Sequence, residues 1–152
     1  MGQLLGEFQC RMDEKGRVRL PSSLLRQLNE LGGYNLVINR SVDKCLMLYP
    51  KVVWDKIKVE VDKLNPYVKK NREFIRYFYR GATELSPDSA ERILLPKALL
   101  EYAEIDRDLV LFAYNNKIEV WSQANYDALI GEEKGDDFSD ICEDILGSLN
   151  DV

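Results

Sequence analysis

Met12-Asp-Glu-Lys-Gly-Arg-Val-Arg-Leu-Pro-Ser-Ser-Leu-Leu25 reads as a charged turn, a short alternating strand, a proline and a helix start. The stretch returns in altered form 75 residues later, as Pro87-Asp-Ser-Ala-Glu-Arg-Ile-Leu-Leu-Pro-Lys-Ala-Leu-Leu100. Asp13 falls on Asp88, Arg17 on Arg92, Leu20 on Leu95 and Pro21 on Pro96, while Leu24 and Leu25 fall on Leu99 and Leu100. Six identities in one block at one offset imply an internal duplication.

Outward from this stretch the elements follow from period and punctuation. Glu7 to Arg11 alternates as a strand, with Phe8 and Cys10 on one face and Gln9 and Arg11 on the other. Asp13 to Gly16 is a turn in which Gly16 can take a positive φ. Arg17 to Leu20 is expected to return against the first strand as a hairpin, Val18 and Leu20 inward and Arg17 and Arg19 outward. Pro21 opens a helix, with Ser22 or Ser23 as its cap. Leu24, Leu25, Leu28 and Leu31 form its apolar stripe, and Gly32-Gly33 ends it.

Leu36 to Ile38 and Leu46 to Tyr49 are expected strands, and Val53, Trp54 and Ile57 open a helix that Asn65-Pro66 breaks. A further helix is expected over 67–80, with Phe74, Tyr77 and Phe78 on its apolar side. The second unit repeats the plan, with strands at Ile93 to Leu95, Leu109 to Phe112 and Ile118 to Trp121. A turn at Tyr114 to Lys117 joins the last two. Tyr126 stands five residues after Trp121 as Trp54 stands five after Tyr49, so the offset drifts from 75 to 72, as a shorter loop would cause. The organisation is a first repeat over 7–54, linking helices over 55–82, a second repeat over 83–126 and an acidic tail over 127–152. Within the tail, 131–137 reads as a solvated linker, and Ile141, Ile145, Leu146 and Leu149 form a weak helical pattern.

The chain has 152 residues, 45% hydrophobic content and a net charge of -5. Residues 131–152 hold eight acids against one lysine, so residues 1–130 are slightly basic. Charge is felt over only about 8–10 Å, so local patches outweigh the total. No apolar run approaches the length that spans a bilayer, and no signal peptide is read at the N-terminus. Cys10, Cys45 and Cys142 are odd in number and widely spaced, which points to a reducing, cytoplasmic setting without a disulfide framework.

The chain has no histidine, which removes Ser-His-Asp and Cys-His catalysis and the commonest zinc ligand. It has no glycine-rich nucleotide loop and no cysteine spacing for a metal. Asp43, Asp55 and Asp62 are read as solvated surface groups. No catalytic residue, metal or cofactor is therefore expected. The basic cluster Arg11, Lys15, Arg17 and Arg19 is the candidate site, four cations within nine residues. A two-stranded ribbon fits the major groove, where arginine forks meet guanine and lysines meet phosphate. Asp13 is read as structural, bonding across the turn or pairing with Arg17. Tyr49, Trp54, Trp121 and Tyr126 follow the apolar period and are read as core or subunit contacts.

Asp13-Glu-Lys-Gly-Arg17, Leu20-Pro21, Leu48-Tyr49-Pro50 and Trp54 recur as Asp88-Ser-Ala-Glu-Arg92, Leu95-Pro96 and Glu119-Val-Trp121. This doubled pattern, over about 4–130, resembles the duplicated swapped-hairpin modules of the MraZ proteins, relatives of the AbrB-type DNA-binding fold. The resemblance implies an α+β, mainly β fold: a pseudo-two-fold double swapped-hairpin β-barrel with flanking helices. It implies a non-enzymatic regulator of the cell-wall and cell-division gene cluster. Such a protein would be nucleoid-associated and would bind direct repeats of double-stranded promoter DNA as a ring-shaped homo-oligomer. By likeness Arg17 and Arg92 are the DNA contacts, with Lys15, Arg19 and Arg11 beside them, and Asp13, Gly16, Pro21, Asp88 and Pro96 are motif residues. The second copy departs from the first: Lys15 becomes Ala90 and Gly16 becomes Glu91, which could pair with Arg92 or repel phosphate. The competing reading is a non-DNA interaction or scaffold protein on the same fold.

Overall fold

Both repeats fold in the order β-β-α-β-β-α, as their shared sequence requires. The computed structural model describes residues 3–132 and 136–149. The first repeat gives β1 (Gly6–Arg11), β2 (Arg17–Arg19), α1 (Ser22–Leu31), β3 (Leu36–Arg40), β4 (Leu46–Pro50) and α2 (Lys51–Asp62). α3 (Lys69–Tyr79) leads into the second repeat: β5 (Thr83–Leu85), β6 (Arg92–Leu94), α4 (Lys97–Tyr102), β7 (Asp108–Tyr114), β8 (Lys117–Ser122) and α5 (Gln123–Glu132). α6 (Asp136–Ser148) follows.

The repeated prolines stand at matching places. Pro21 and Pro96 precede the first residues of α1 and α4 with φ of -58° and -62°, the angle a proline ring fixes. No serine caps α1: Pro21 occupies the cap position, Ser22 is already helical, and no side-chain cap bond forms. The N–H groups of Gly32 and Gly33 both donate to the Leu28 carbonyl, at 3.1 and 3.0 Å, and close α1. Asn115 and Asn116 have φ of 50° and 58°, the left-handed pair that a two-residue hairpin turn requires. The offset drift arises partly in this turn and partly in α4, which has six residues where α1 has ten.

The strands exchange between repeats. A six-stranded antiparallel sheet has the order β1-β7-β8-β4-β3-β5, and β2 pairs with β6 in a separate two-stranded ribbon. Exchanging the repeats turns the first order into its own reverse, so a pseudo-two-fold axis passes between β8 and β4. The expected hairpin of Glu7 to Arg11 with Arg17 to Leu20 does not form. β1 runs antiparallel to β7, Phe8 opposite Leu111, and β2 runs antiparallel to β6. The reason is burial: by crossing over, β1 places its inner face in a core built by both repeats. The sheet is not closed into a barrel by strand pairing, because β1 and β5 form its two edges.

Each strand buries alternate residues on opposite faces. Leu36, Ile38, Leu46, Leu48, Leu109, Leu111, Ile118 and Val120 enter the principal core. There they meet Leu24, Leu25 and Leu28 of α1, Leu99 beside Ala103, and Val18 and Ile93 of the two-stranded ribbon. The opposite face carries two smaller clusters. Val37 and Tyr49 pack with Trp54, Val61 and Phe78 under α2 and α3; Val110 packs with Trp121 and Tyr126 under α5. Trp54 stacks on Phe78 at 4.7 Å, and all four aromatic landmarks are buried. Phe74, expected on the apolar face of α3, remains 44% exposed. The acidic linker is shorter than expected, since α5 continues to Glu132 and α6 begins at Asp136. Residues 133–135 of that linker lie outside the described residues.

Candidate nucleic-acid interface

The ribbon of β2 and β6 is short and two-faced. Its register sets Arg17 opposite Leu94, Val18 opposite Ile93 and Arg19 opposite Arg92. Val18 and Ile93 are buried and anchor it to the core. Period two then places Arg17, Arg19, Arg92 and Leu94 together on the outer face. Two further backbone bonds extend the ladder: the Leu20 N–H donates to the Glu91 carbonyl and the Leu95 N–H to the Gly16 carbonyl, both at 3.0 Å.

The Asp-x-x-x-Arg spacing acquires a physical meaning at each turn. One oxygen of Asp13 accepts from the backbone N–H groups of Lys15 and Arg17, both at 2.9 Å, and the other accepts from Arg17 Nε at 2.7 Å. Asp88 repeats the arrangement. It accepts from the Ala90 and Arg92 backbone at 2.9 and 3.0 Å and from Arg92 Nε at 3.0 Å. Asp13 also stands 3.9 Å from Arg92 Nη1, which links the two turns. Backbone donation from Arg17 is the largest influence holding the Asp13 carboxyl below its ordinary range, and donation from Arg92 does the same for Asp88. Each guanidinium is thus braced through Nε, the nitrogen nearest its stem. Gly16 has φ of 85°, as its turn requires; Glu91, at the matching position, holds φ of 64° against the steric preference of an L-residue.

The other candidate residues divide. Lys15 is exposed at the turn, and among the described residues its ammonium has no carboxylate partner. Arg19 reaches Glu91 at 3.4 Å across the ribbon, so Glu91 pairs with the first repeat's arginine and not with Arg92. Arg11 is not on the ribbon. It ends β1 in the larger sheet, opposite Asp108, with which it makes a loose ion pair at 3.8 Å. Arg11 and Arg19 nonetheless line one open cleft with Pro21 and Glu91. Asp55 and Asp62 bond Lys51 and Lys58, and the described residues contain no carboxylate, cysteine or histidine group suited to a metal.

A family model described as "MraZ protein, putative antitoxin-like" matches residues 3–76 and 78–148. The chain belongs to the MraZ family. It is 39% identical over 152 residues to the transcriptional regulator MraZ of Flavobacterium psychrophilum, covering 99% of this chain and 96% of that protein. It is 36% identical to the protein of the same name from Christiangramia forsetii, covering 97% and 96%. With that of Pediococcus pentosaceus the identity is 34%, covering 93% and 96%.

Three features of this MraZ-family chain were not legible from the motif. The Arg19–Glu91 pair and the Arg17–Leu94 juxtaposition depend on a register between repeats, which a single strand does not encode. Arg40 lies between the rings of Tyr77 and Tyr102, at 4.4 and 5.4 Å, while both hydroxyls converge on the Ser41 carbonyl. An arginine at a strand end and two tyrosines on different helices carry no shared local signal.

Proposed function

We propose that this chain is a sequence-specific DNA-binding transcriptional regulator that inserts the β2–β6 ribbon into the major groove. The observation that carries the reading is the outer face of that ribbon. Three arginines stand on it within two three-residue strands, two of them braced by the carboxylate of their own turn. Arginine forks matching guanine O6 and N7 give roughly 1–3 kcal/mol of discrimination per base. Lys15, exposed at the turn, is suited to phosphate and contributes position more than sequence. Arg19 stands on the same face, Arg11 flanks it from the end of β1, and Arg92 supplies the second repeat's contact. The family membership and the names of its relatives support the same reading, a regulator and not an enzyme.

The target is then a set of direct repeats in the promoter of the chain's own cell-division and cell-wall operon. The chain would act in the cytoplasm at the nucleoid. No helix among the described residues is long and apolar enough to cross a membrane. A closed ring of copies would present several ribbons to the repeated sites, raising effective concentration where one ribbon is weak. Exposed Phe138, Ile141, Ile145 and Leu146 on α6 supply apolar surface for such assembly. Sedimentation should then show a species well above 17.6 kDa.

Titration of Arg17→Ala, Lys15→Ala and Arg92→Ala against the upstream region and a scrambled duplex, at two salt concentrations, tests the site. Arg17→Ala should lose most of its preference for the upstream region. Lys15→Ala should weaken both duplexes alike and lower the salt slope by about one per subunit engaged. Arg92→Ala should lose less than Arg17→Ala. Unchanged preference in Arg17→Ala removes the assignment. A native chain that prefers no DNA favours the scaffold reading.

A further inference from the structure

We propose that Leu94 is a base-reading residue that contacts a thymine methyl group, and that it gives the ribbon a direction. The proposal rests on the DNA-binding reading above and concerns what that face selects. The pseudo-two-fold axis passes between Val18 and Ile93, the central pair of the ribbon. It carries Arg17 onto Arg92 but carries Arg19 onto Leu94. The outer face is therefore symmetric in its braced arginines and asymmetric at its two remaining positions.

Leu94 is 56% exposed although both its strand and its partner are anchored by buried residues. It lies directly across from Arg17. Its Cδ1 leans over the first turn, 3.9 Å from where a Cβ on Gly16 would stand. The apolar surface is thus held between the Arg17 fork and the turn that carries Lys15. A leucine there gains nothing from phosphate or sugar. Of the groups that line the major groove, the thymine C5-methyl is the apolar one, and apolar side chains meet it. Arg17 and Leu94 would read neighbouring base pairs, guanine and thymine, at one end of the ribbon. Arg19 and Arg92 would occupy the other end without an apolar counterpart. A face of this kind cannot treat the two directions of a duplex alike. It selects a non-palindromic element, so that several copies engage elements that all point the same way.

The test uses the full chain and the duplex that it selects from a random pool, with each thymine replaced in turn by deoxyuridine, which lacks only the methyl. One replacement should weaken the native chain about fourfold, the effect of losing one buried methyl-sized contact. Leu94→Ala should weaken the unsubstituted duplex by a similar factor and ignore that replacement. Leu94→Met, which keeps an apolar side chain, should retain the response. If Leu94→Ala responds to every deoxyuridine as the native chain does, Leu94 is not the reader, even if overall affinity has fallen. Native affinity for all duplexes in Leu94→Ala also overturns the proposal. A native chain that selects no sequence at all overturns the DNA reading beneath it, and the two failures are distinguished by that first selection step.

Discussion

Replacing Glu91 separates two effects that meet at one residue. Its backbone holds φ of 64°, a left-handed conformation that costs an L-residue about 1–2 kcal/mol relative to the right-handed one. Glycine removes that cost but adds about 0.5–1 kcal/mol of lost chain entropy on folding, leaving a net gain near 0.5–1 kcal/mol. Its carboxylate meets Arg19 at 3.4 Å with both side chains more than half exposed, so the ion pair contributes about 0–1 kcal/mol. Glu91→Gln loses the ion pair and keeps the strained backbone; Glu91→Gly loses both. The difference between the two variants isolates the backbone, and Glu91→Gly should be the more stable by about 0.5–1 kcal/mol in urea unfolding. Both should bind duplex DNA more tightly than the native chain. A negative charge about 7 Å from a phosphate costs roughly 0.6 kcal/mol in water, or nearly threefold in affinity, and the gain should shrink in high salt. Equal stability of the two variants would refute the strain argument, and DNA affinity no higher than native in Glu91→Gln would refute the electrostatic one.

Asp13→Asn combined with Asp88→Asn should flatten the acid limb of stability. Both native carboxyls lie below the ordinary 3.8, so their contribution is complete above that pH and is lost as pH falls through the lowered folded values. An unaltered acid limb in urea titrations from pH 5 to 2 contradicts this. Ile93→Ala, at a 1% exposed position under the ribbon, should cost about 2–5 kcal/mol, and a loss well under 1 kcal/mol in chemical unfolding would show that the ribbon is not anchored there. Cys45 is fully buried and its thiol is pushed up to about 12 by burial, so it should escape a thiol reagent at pH 8 until the chain is unfolded; labelling of native Cys45 at the rate of a free thiol would contradict the packing. Gly16→Ala should cost about 1 kcal/mol from φ of 85° alone, since the nearest atoms to the new Cβ lie at 3.6 Å; an unchanged urea midpoint would count against it.

The elements were largely legible because their signals are local. Short apolar runs mark β3, β4 and β7, alternation marks β8, paired prolines mark the starts of α1 and α4, and two asparagines mark the β7–β8 turn. Asp13 and Arg17 were legible as a structural pair because four residues across a tight turn bring them together. Pairing was not legible in the same way. A turn after Gly6–Arg11 and before Arg17–Arg19 looks like a hairpin whether or not the strands bond each other, since the choice between β2 and β7 as partner of β1 is made by the shared core. The position of Arg11 was misread for the same reason: alternation gave its face, but not the sheet to which that face belongs. Leu94 passed unnoticed because one exposed leucine means nothing until its opposite neighbour is known.

The crossing of β1 onto β7 and of β5 onto β3 has a consequence for how the chain reaches its native state. Neither half can finish its own sheet, so a fragment ending near the middle of the chain would leave strand edges and the inner faces of Val18 and Leu36 uncovered. The two halves must therefore acquire structure in one cooperative event, and partners far apart in sequence make that event slow to nucleate. The same exchange means that two separate halves, mixed in solution, carry complementary edges and could rebuild the whole.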